Sequence, residues 1–281
     1  MSKNALIKGK PVADKISESL IEEIAKSNIN PKLSIIRVGE KPDDLSYERG
    51  ALNRCTKIGI EVEVVVLDEN VSQDEYISKL HSLNEDESVD GILCFRPLPK
   101  HLDENIIKYE ISVKKDVDSF NPLNLAKVVE NDQTGFAPCT PTAVVEILKH
   151  YGVELKGKNI TVVGRSLVVG KPVSMLLLNE NATVTICHSK TEDLQDVCRK
   201  ADIVVAAIGK AKMLDESYVG DGAVVVDVGI NVDDEGNLCG DVDTERVLDK
   251  VSMITPVPGG VGSVTTSILA KHVLKAYRLK Y

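Results

Sequence analysis

Ile160-Thr161-Val162-Val163-Gly164-Arg165-Ser166-Leu167-Val168-Val169-Gly170-Lys171-Pro172 is the stretch that decides the fold. A β-branched run meets a glycine, and Gly170 then opens a segment with the character of a helix. Strand, tight turn and helix start in that order aim backbone N–H groups and the positive end of a helix dipole at a phosphate. The spacing is Gly164-x-Ser166-x-x-x-Gly170, which departs from the usual G-x-G-x-x-G, so the strand-to-helix context carries the reading. The competing reading is a plain βα turn.

Moving outward, Val/Ile-rich runs recur at 183–187, 203–207 and 223–228, as they do at 159–163. Nearly continuous apolar runs of this kind predict parallel strands buried on both faces. The first half offers strands at 33–38, 62–67 and 91–95, with helical patterns at 12–27, 43–58 and 73–83 between them. Residues 119–141 carry Pro122, Gly135, Pro138 and Pro141 and read as a connector. A helix is predicted over 142–150 after Pro141, and another over 264–280 at the end. The fold class is therefore α/β: an N-terminal α/β substrate domain plus a Rossmann-type doubly wound parallel sheet, with a cleft between them.

Composition narrows the function classes. The chain has 281 residues, more than one core usually organises. A net charge of −9 argues against a nucleic-acid partner, which would meet a basic face. No run approaches the ~20 apolar residues that span a bilayer, and no apolar leader follows Met1. Cys55, Cys94, Cys139, Cys187, Cys198 and Cys239 contain no C-x-x-C pair and read as buried reduced thiols of a cytoplasmic protein. The five histidines share no ligand spacing, so no metal site is expected.

The end of the second strand of the nucleotide half selects a cofactor. An NAD site places a carboxylate there for the ribose 2′-hydroxyl. Here the strand ends in Cys187-His188-Ser189-Lys190-Thr191, with no carboxylate before Glu192. A hydroxyl and a cation suit a 2′-phosphate, and Arg165 adds a bidentate donor, so NADP is preferred to NAD. The bland alternative makes Arg165 and Lys190 solvated surface charges. Two further loops, Asp227-Val228-Gly229-Ile230-Asn231 and Thr255-Pro256-Val257-Pro258-Gly259-Gly260-Val261-Gly262, follow predicted strand ends, where ligands lie in open α/β sheets.

These motifs, with Val38-Gly39, Pro42 and Tyr47, Asp90-Gly91-Ile92-Leu93, Pro97-Leu98-Pro99, Lys115-Asp116-Val117-Asp118, Pro138-Cys139-Thr140-Pro141 and Gly240-Asp241-Val242, run the length of the chain. In that order they resemble the bifunctional methylenetetrahydrofolate dehydrogenase/methenyltetrahydrofolate cyclohydrolase family. The resemblance implies a folate-binding domain at 1–140 completed by the helix at 264–281, and an NADP-binding domain at 141–263. It implies a homodimer that oxidises 5,10-methylenetetrahydrofolate and then hydrolyses the methenyl cation. It implies that Tyr47 stacks on the folate ring and that Asp118 grips the pterin. Pro258, Gly259 and Gly260 would also contact substrate. Gly164, Arg165, Ser166, Gly170, Ser189, Lys190, Gly229 and Ile230 would hold the cofactor.

The departures fall at the chemistry. The family's lysine, four residues after the tyrosine and so on the same helix face, corresponds to Ala51. Its glutamine partner corresponds to Phe95, followed by Arg96 where the family has leucine. A serine becomes Asp44, and the proline after the last glycine becomes Ser263. Hydride transfer needs positioning above all, whereas hydrolysis needs a proton moved. The expectation is a dehydrogenase with weak or absent cyclohydrolase activity. Arg54, seven residues from Tyr47, and Arg96 are the candidate replacement cations, although a guanidinium is a poor general base. Three alternatives stand beside this reading. One is the full bifunctional enzyme with an arginine substituting for the lysine. Another is a shikimate-type dehydrogenase, for which Lys57 and Asp90 would be the pair. The third is a folate or NADP binder without turnover.

Overall fold

The structure is a computed structural model, and it describes residues 5–280. In chain order its elements are β1 (Ala5–Leu6), α1 (Gly9–Ser27), β2 (Lys32–Val38), α2 (Pro42–Ile58), β3 (Glu61–Leu67), α3 (Gln73–Glu85) and β4 (Gly91–Cys94). Next come α4 (Glu104–Ile107), α5 (Pro122–Glu130), α6 (Cys139–His150), β5 (Asn159–Val163), α7 (Gly170–Asn179), β6 (Thr183–Cys187) and α8 (Leu194–Arg199). The remainder is β7 (Ile203–Ala206), β8 (Val224–Asp227), β9 (Asn231–Val232), β10 (Leu238–Cys239), α9 (Thr244–Val247), β11 (Met253–Ile254) and α10 (Thr265–Lys280). The chain divides into two compact units. One runs from Lys15 to Cys139 and takes back the chain from Thr266; the other is Thr140–Thr265 with the N-terminal residues up to Asp14.

The first unit is built on a three-stranded parallel sheet ordered β3-β2-β4. β2 is central, and all its residues after Lys32 are buried. α2 begins with Pro42 in its first turn, where the missing N–H is no loss, and carries Asp43 and Asp44 near the positive end of the dipole. It ends at Gly59, whose φ of 98° lets its N–H return to Cys55 O at 3.1 Å. A buried ion pair locks α2 to β2: Arg37 Nε donates to Glu48 Oε2 at 2.6 Å, with the side chains 7% and 13% exposed. α10 closes the unit against β4, where a Cβ on Gly91 would lie 3.2 Å from Val273.

The segment expected as a connector is folded. α5 lies inside it, capped by Asn121, whose side chain accepts from Leu123 N. Its anchor is the fully buried Asp116, which accepts from the backbone N–H of Phe120 (2.9 Å) and Asn121 (2.8 Å) and from Asn124 Nδ2 (2.9 Å). Proline and glycine mark the turns here, and the buried carboxylate makes the turns into packed structure.

The second unit carries a six-stranded parallel sheet ordered β1-β11-β8-β7-β5-β6. The chain goes from β5 out to β6 and then crosses back to β7, which makes the ends of β5 and β7 the switch point of the doubly wound sheet. β5, β7 and β8 are buried almost throughout. β6 has the same apolar composition but is the edge strand, so Thr183, Thr185 and Ile186 are exposed. Here the expectation of a strand covered on both faces fails. A second correction concerns the N-terminus. β1 pairs with β11, so the described residues up to Asp14 belong to this unit, whereas the sequence reading assigns all of 1–140 to the first domain. A two-residue strand is too short to show periodicity.

Candidate active site

In the first unit, α2 presents Tyr47 and Ala51 one turn apart. Ala51 is wholly buried. Phe95 follows β4, is 7% exposed, and meets the Tyr47 ring edge to face with centroids 5.8 Å apart. The position opposite Tyr47 is therefore filled by a hydrocarbon ring, and nothing at Ala51 or Phe95 can take up or release a proton. Arg96, half-buried, extends over the face of Phe120, its Cζ 4.8 Å from the ring centroid, and its Nη2 lies 3.7 Å from Asp118 Oδ2. Asp118 Oδ1 accepts the backbone N–H of Cys139 at 2.8 Å. Burial pushes the Asp118 carboxyl up, and the Cys139 N–H and the Arg96 charge pull it back down. Arg54 is directed elsewhere, with Nη1 donating to Ser17 Oγ at 3.1 Å. The structure thus joins Tyr47 to Phe95 and Arg96 to Asp118, and ties Arg54 to α1.

In the second unit, Gly164 ends β5 with φ at 140°, and a Cβ there would lie 2.1 Å from Ala207 O. A Cβ on Gly170 would lie 2.2 Å from Gly164 O. Both positions require glycine because backbone meets backbone. Ser166 Oγ accepts from Val169 N at 3.0 Å, which shapes the turn before α7. Arg165, Ser166, Ser189 and Lys190 are all exposed beyond the carboxyl ends of β5 and β6. The His188–Thr191 turn is fixed from within: Thr191 Oγ1 accepts from His188 N at 2.9 Å and His188 Nδ1 accepts from Lys190 N at 3.1 Å. A glycine cradle beside two exposed cations fits an anionic phosphate ligand.

The sequence reading missed what braces the loops after β7 and β8. Asp227, buried at the end of β8, accepts from Gly229 N and Asp241 N with Oδ1 and from Val242 N with Oδ2, at 2.8–3.0 Å. Asp241 in turn accepts from Ile208 N (2.6 Å), Gly209 N (3.1 Å), Lys210 N (2.8 Å) and Asn231 Nδ2 (2.9 Å). Two carboxylates thus tie the loops after β7 and β8 to Gly240-Asp241-Val242. Burial pushes Asp227 up to about 6 even against its three backbone donors. The available signal was an aspartate ending an otherwise apolar strand. Gly229 sits against this brace, where a Cβ would lie 2.4 Å from Asp241 Cγ, and Ile230 beside it is 70% exposed. Pro258, Gly259 and Gly260 also lie in this unit, beyond β11, with Gly259 O accepting from Gly9 N at 2.9 Å.

Residues 7–118 match the family model for the tetrahydrofolate dehydrogenase/cyclohydrolase catalytic domain, and residues 138–281 match that for the NAD(P)-binding domain of the same family. The chain belongs to the tetrahydrofolate dehydrogenase/cyclohydrolase family. The bifunctional protein FolD of Clostridioides difficile (strain 630) is 69% identical over 99% of this chain and 98% of its own. The bifunctional FolD methylenetetrahydrofolate dehydrogenase/cyclohydrolase of Campylobacter jejuni superposes with a TM-score of 0.95 at 40% identity, covering 99% of both chains. The FolD of Trypanosoma brucei, solved with NADP cofactor and an inhibitor, gives 0.93 at 36% identity, covering 100% of this chain and 99% of that one. Within the tetrahydrofolate dehydrogenase/cyclohydrolase family, the shikimate-type alternative lapses. Asp90 has a structural task here, accepting from Lys32 N at 2.8 Å. Among the described residues no three His, Cys, Asp or Glu side chains gather as a metal site, and no helix is long and apolar enough to cross a membrane.

Proposed function

We propose that this chain oxidises 5,10-methylenetetrahydrofolate to the 5,10-methenyl cation with NADP, and that it hydrolyses that cation weakly or not at all. The observation that carries the second half is the Tyr47–Phe95 contact beside a sealed Ala51. NADP supplies the hydride acceptor. What the protein adds to that step is placement: the Tyr47 ring offers a flat face to the pterin, and Asp118 offers a carboxylate to its N–H donors. Expulsion of hydride from the methylene carbon is driven by the adjacent folate nitrogen, so it asks for alignment before it asks for a base. Hydrolysis adds water to the cationic carbon, releases a proton and opens a C–N bond, and that proton needs an acceptor. Arg96 is a permanent cation and does not supply one.

NADP in preference to NAD is supported by Arg165, Ser166, Ser189 and Lys190, and by the NADP found with the trypanosomal relative. Homodimer assembly and a cytoplasmic location belong to the same proposal, on the strength of the family resemblance. A second reading, the full bifunctional enzyme, is favoured by the name of the 69% identical relative. Purified protein assayed for NADP reduction with methylenetetrahydrofolate tests the first half. Steady reduction is expected, with NAD a much poorer acceptor. Binding of both ligands without turnover would select the non-catalytic alternative.

A further inference from the structure

We propose that Arg96 is a positioning residue of the folate site, holding the Asp118 carboxylate charged and in place while leaving one of its oxygens open to substrate. The inference rests on the functional reading above for the identity of that substrate.

The geometry separates the two oxygens of Asp118. Oδ1 is taken by the Cys139 N–H at 2.8 Å. Oδ2 faces Arg96 at 3.7 Å, which is too long for a hydrogen bond but close enough for strong attraction between unit charges in a half-buried site. The guanidinium is kept at that distance because it lies over the Phe120 ring. It therefore supplies charge to Oδ2 without consuming its lone pairs.

Asp118 has need of a cation. Asp116 stands two residues away on the same loop, buried and itself pushed up to about 6, chiefly by burial. From β4 the neighbour is the buried Cys94 thiol, and from the start of α6 the buried Cys139 thiol. Behind Cys139, at 3.8 Å from its Sγ, lies His272 of α10, which burial holds neutral by pushing it down to about 4. Burial opposes ionisation of Asp118; the backbone N–H and thiol of Cys139 favour it, and Arg96 is the cation that acts with them. A protonated Asp118 would present an O–H where a ligand offers N–H donors, and one acceptor would be lost.

The test uses full-length protein labelled with 13C at the aspartate carboxyls, with the Asp118 signal assigned by its absence in Asp118→Asn. In Arg96→Leu, and in Arg96→Met as a second apolar variant, the Asp118 titration midpoint is expected to rise by about one unit or more, and Arg96→Lys to recover most of that rise. In parallel, the rise in KM for methylenetetrahydrofolate should approach about tenfold as pH falls below the Asp118 midpoints and vanish by pH 8.5, with kcat little changed. An unmoved Asp118 midpoint overturns the proposal, as does a KM loss equal at every pH. A moved midpoint in a protein that never turns the folate over would sustain the role of Arg96 and reject the functional reading instead.

Discussion

The two units build their sites from different materials. The nucleotide unit makes its cradle from backbone: Gly164 and Gly170 permit main chains to touch, and Asp227 and Asp241 hold the loops by seven hydrogen bonds, six of them to backbone N–H. The first unit builds its candidate site from side chains set in a packed wall, where Tyr47, Ala51, Phe95, Arg96 and Asp118 each occupy one position. A backbone site tolerates change in the side chains around it. A side-chain site is one whose chemistry two substitutions would rewrite without disturbance of the fold.

The largest effect that would sharpen this contrast is a gain. Ala51→Lys with Phe95→Gln should raise methenyltetrahydrofolate hydrolysis about 100-fold, the scale of a placed acid–base group, while NADP affinity stays put. Ala51→Lys alone should destabilise the first unit, because the ammonium would start from a wholly buried position. Breaking the backbone site comes next. Asp241→Asn removes a charged acceptor from three loop N–H groups, so NADP KM should rise about 30-fold with a stability loss of about 3 kcal/mol, and tetrahydrofolate binding measured by calorimetry should not move. Lys190→Ala is milder. KM for NADP should rise about tenfold and that for NAD should hardly change, since one exposed charge–phosphate contact is lost.

The smallest effect is on stability against pH. His272 is buried, donates Nδ1–H to Val117 O at 2.9 Å, and is held neutral down to about 4 by burial, with Lys271 and Lys275 acting in the same direction. Its folded value lies below the ordinary histidine value, so the unfolded chain binds more protons between the two. Stability from this group is full above about 6.5 and is lost as pH falls toward 4. From pH 7 to pH 5 the parent should lose about 1–2 kcal/mol more than His272→Asn in chemical denaturation. Equal losses would place the acid sensitivity in other groups.

The contrast also explains what was legible in the sequence. Glycine spacing after a β-branched strand disclosed the cradle, because only glycine allows those contacts. β6 misled because composition does not reveal which strand lies at an edge. Residues 119–141 were half legible: the boundary between the units does fall there, after Cys139, but turn residues look alike whether they link units or wrap a buried Asp116. The significance of Ala51 and Phe95 was readable only through family resemblance; by themselves an alanine and a phenylalanine are wall residues. The Arg96–Asp118 pair spans 22 positions and two loops, a proximity that periodicity does not report.

The most direct measurement is the absorbance loss of added methenyltetrahydrofolate on the same sample that reduces NADP with methylenetetrahydrofolate. The account predicts rapid oxidation and hydrolysis close to the uncatalysed rate. Hydrolysis as fast as oxidation would contradict it, and would mean that the proton is moved by a group other than the ones missing at Ala51 and Phe95.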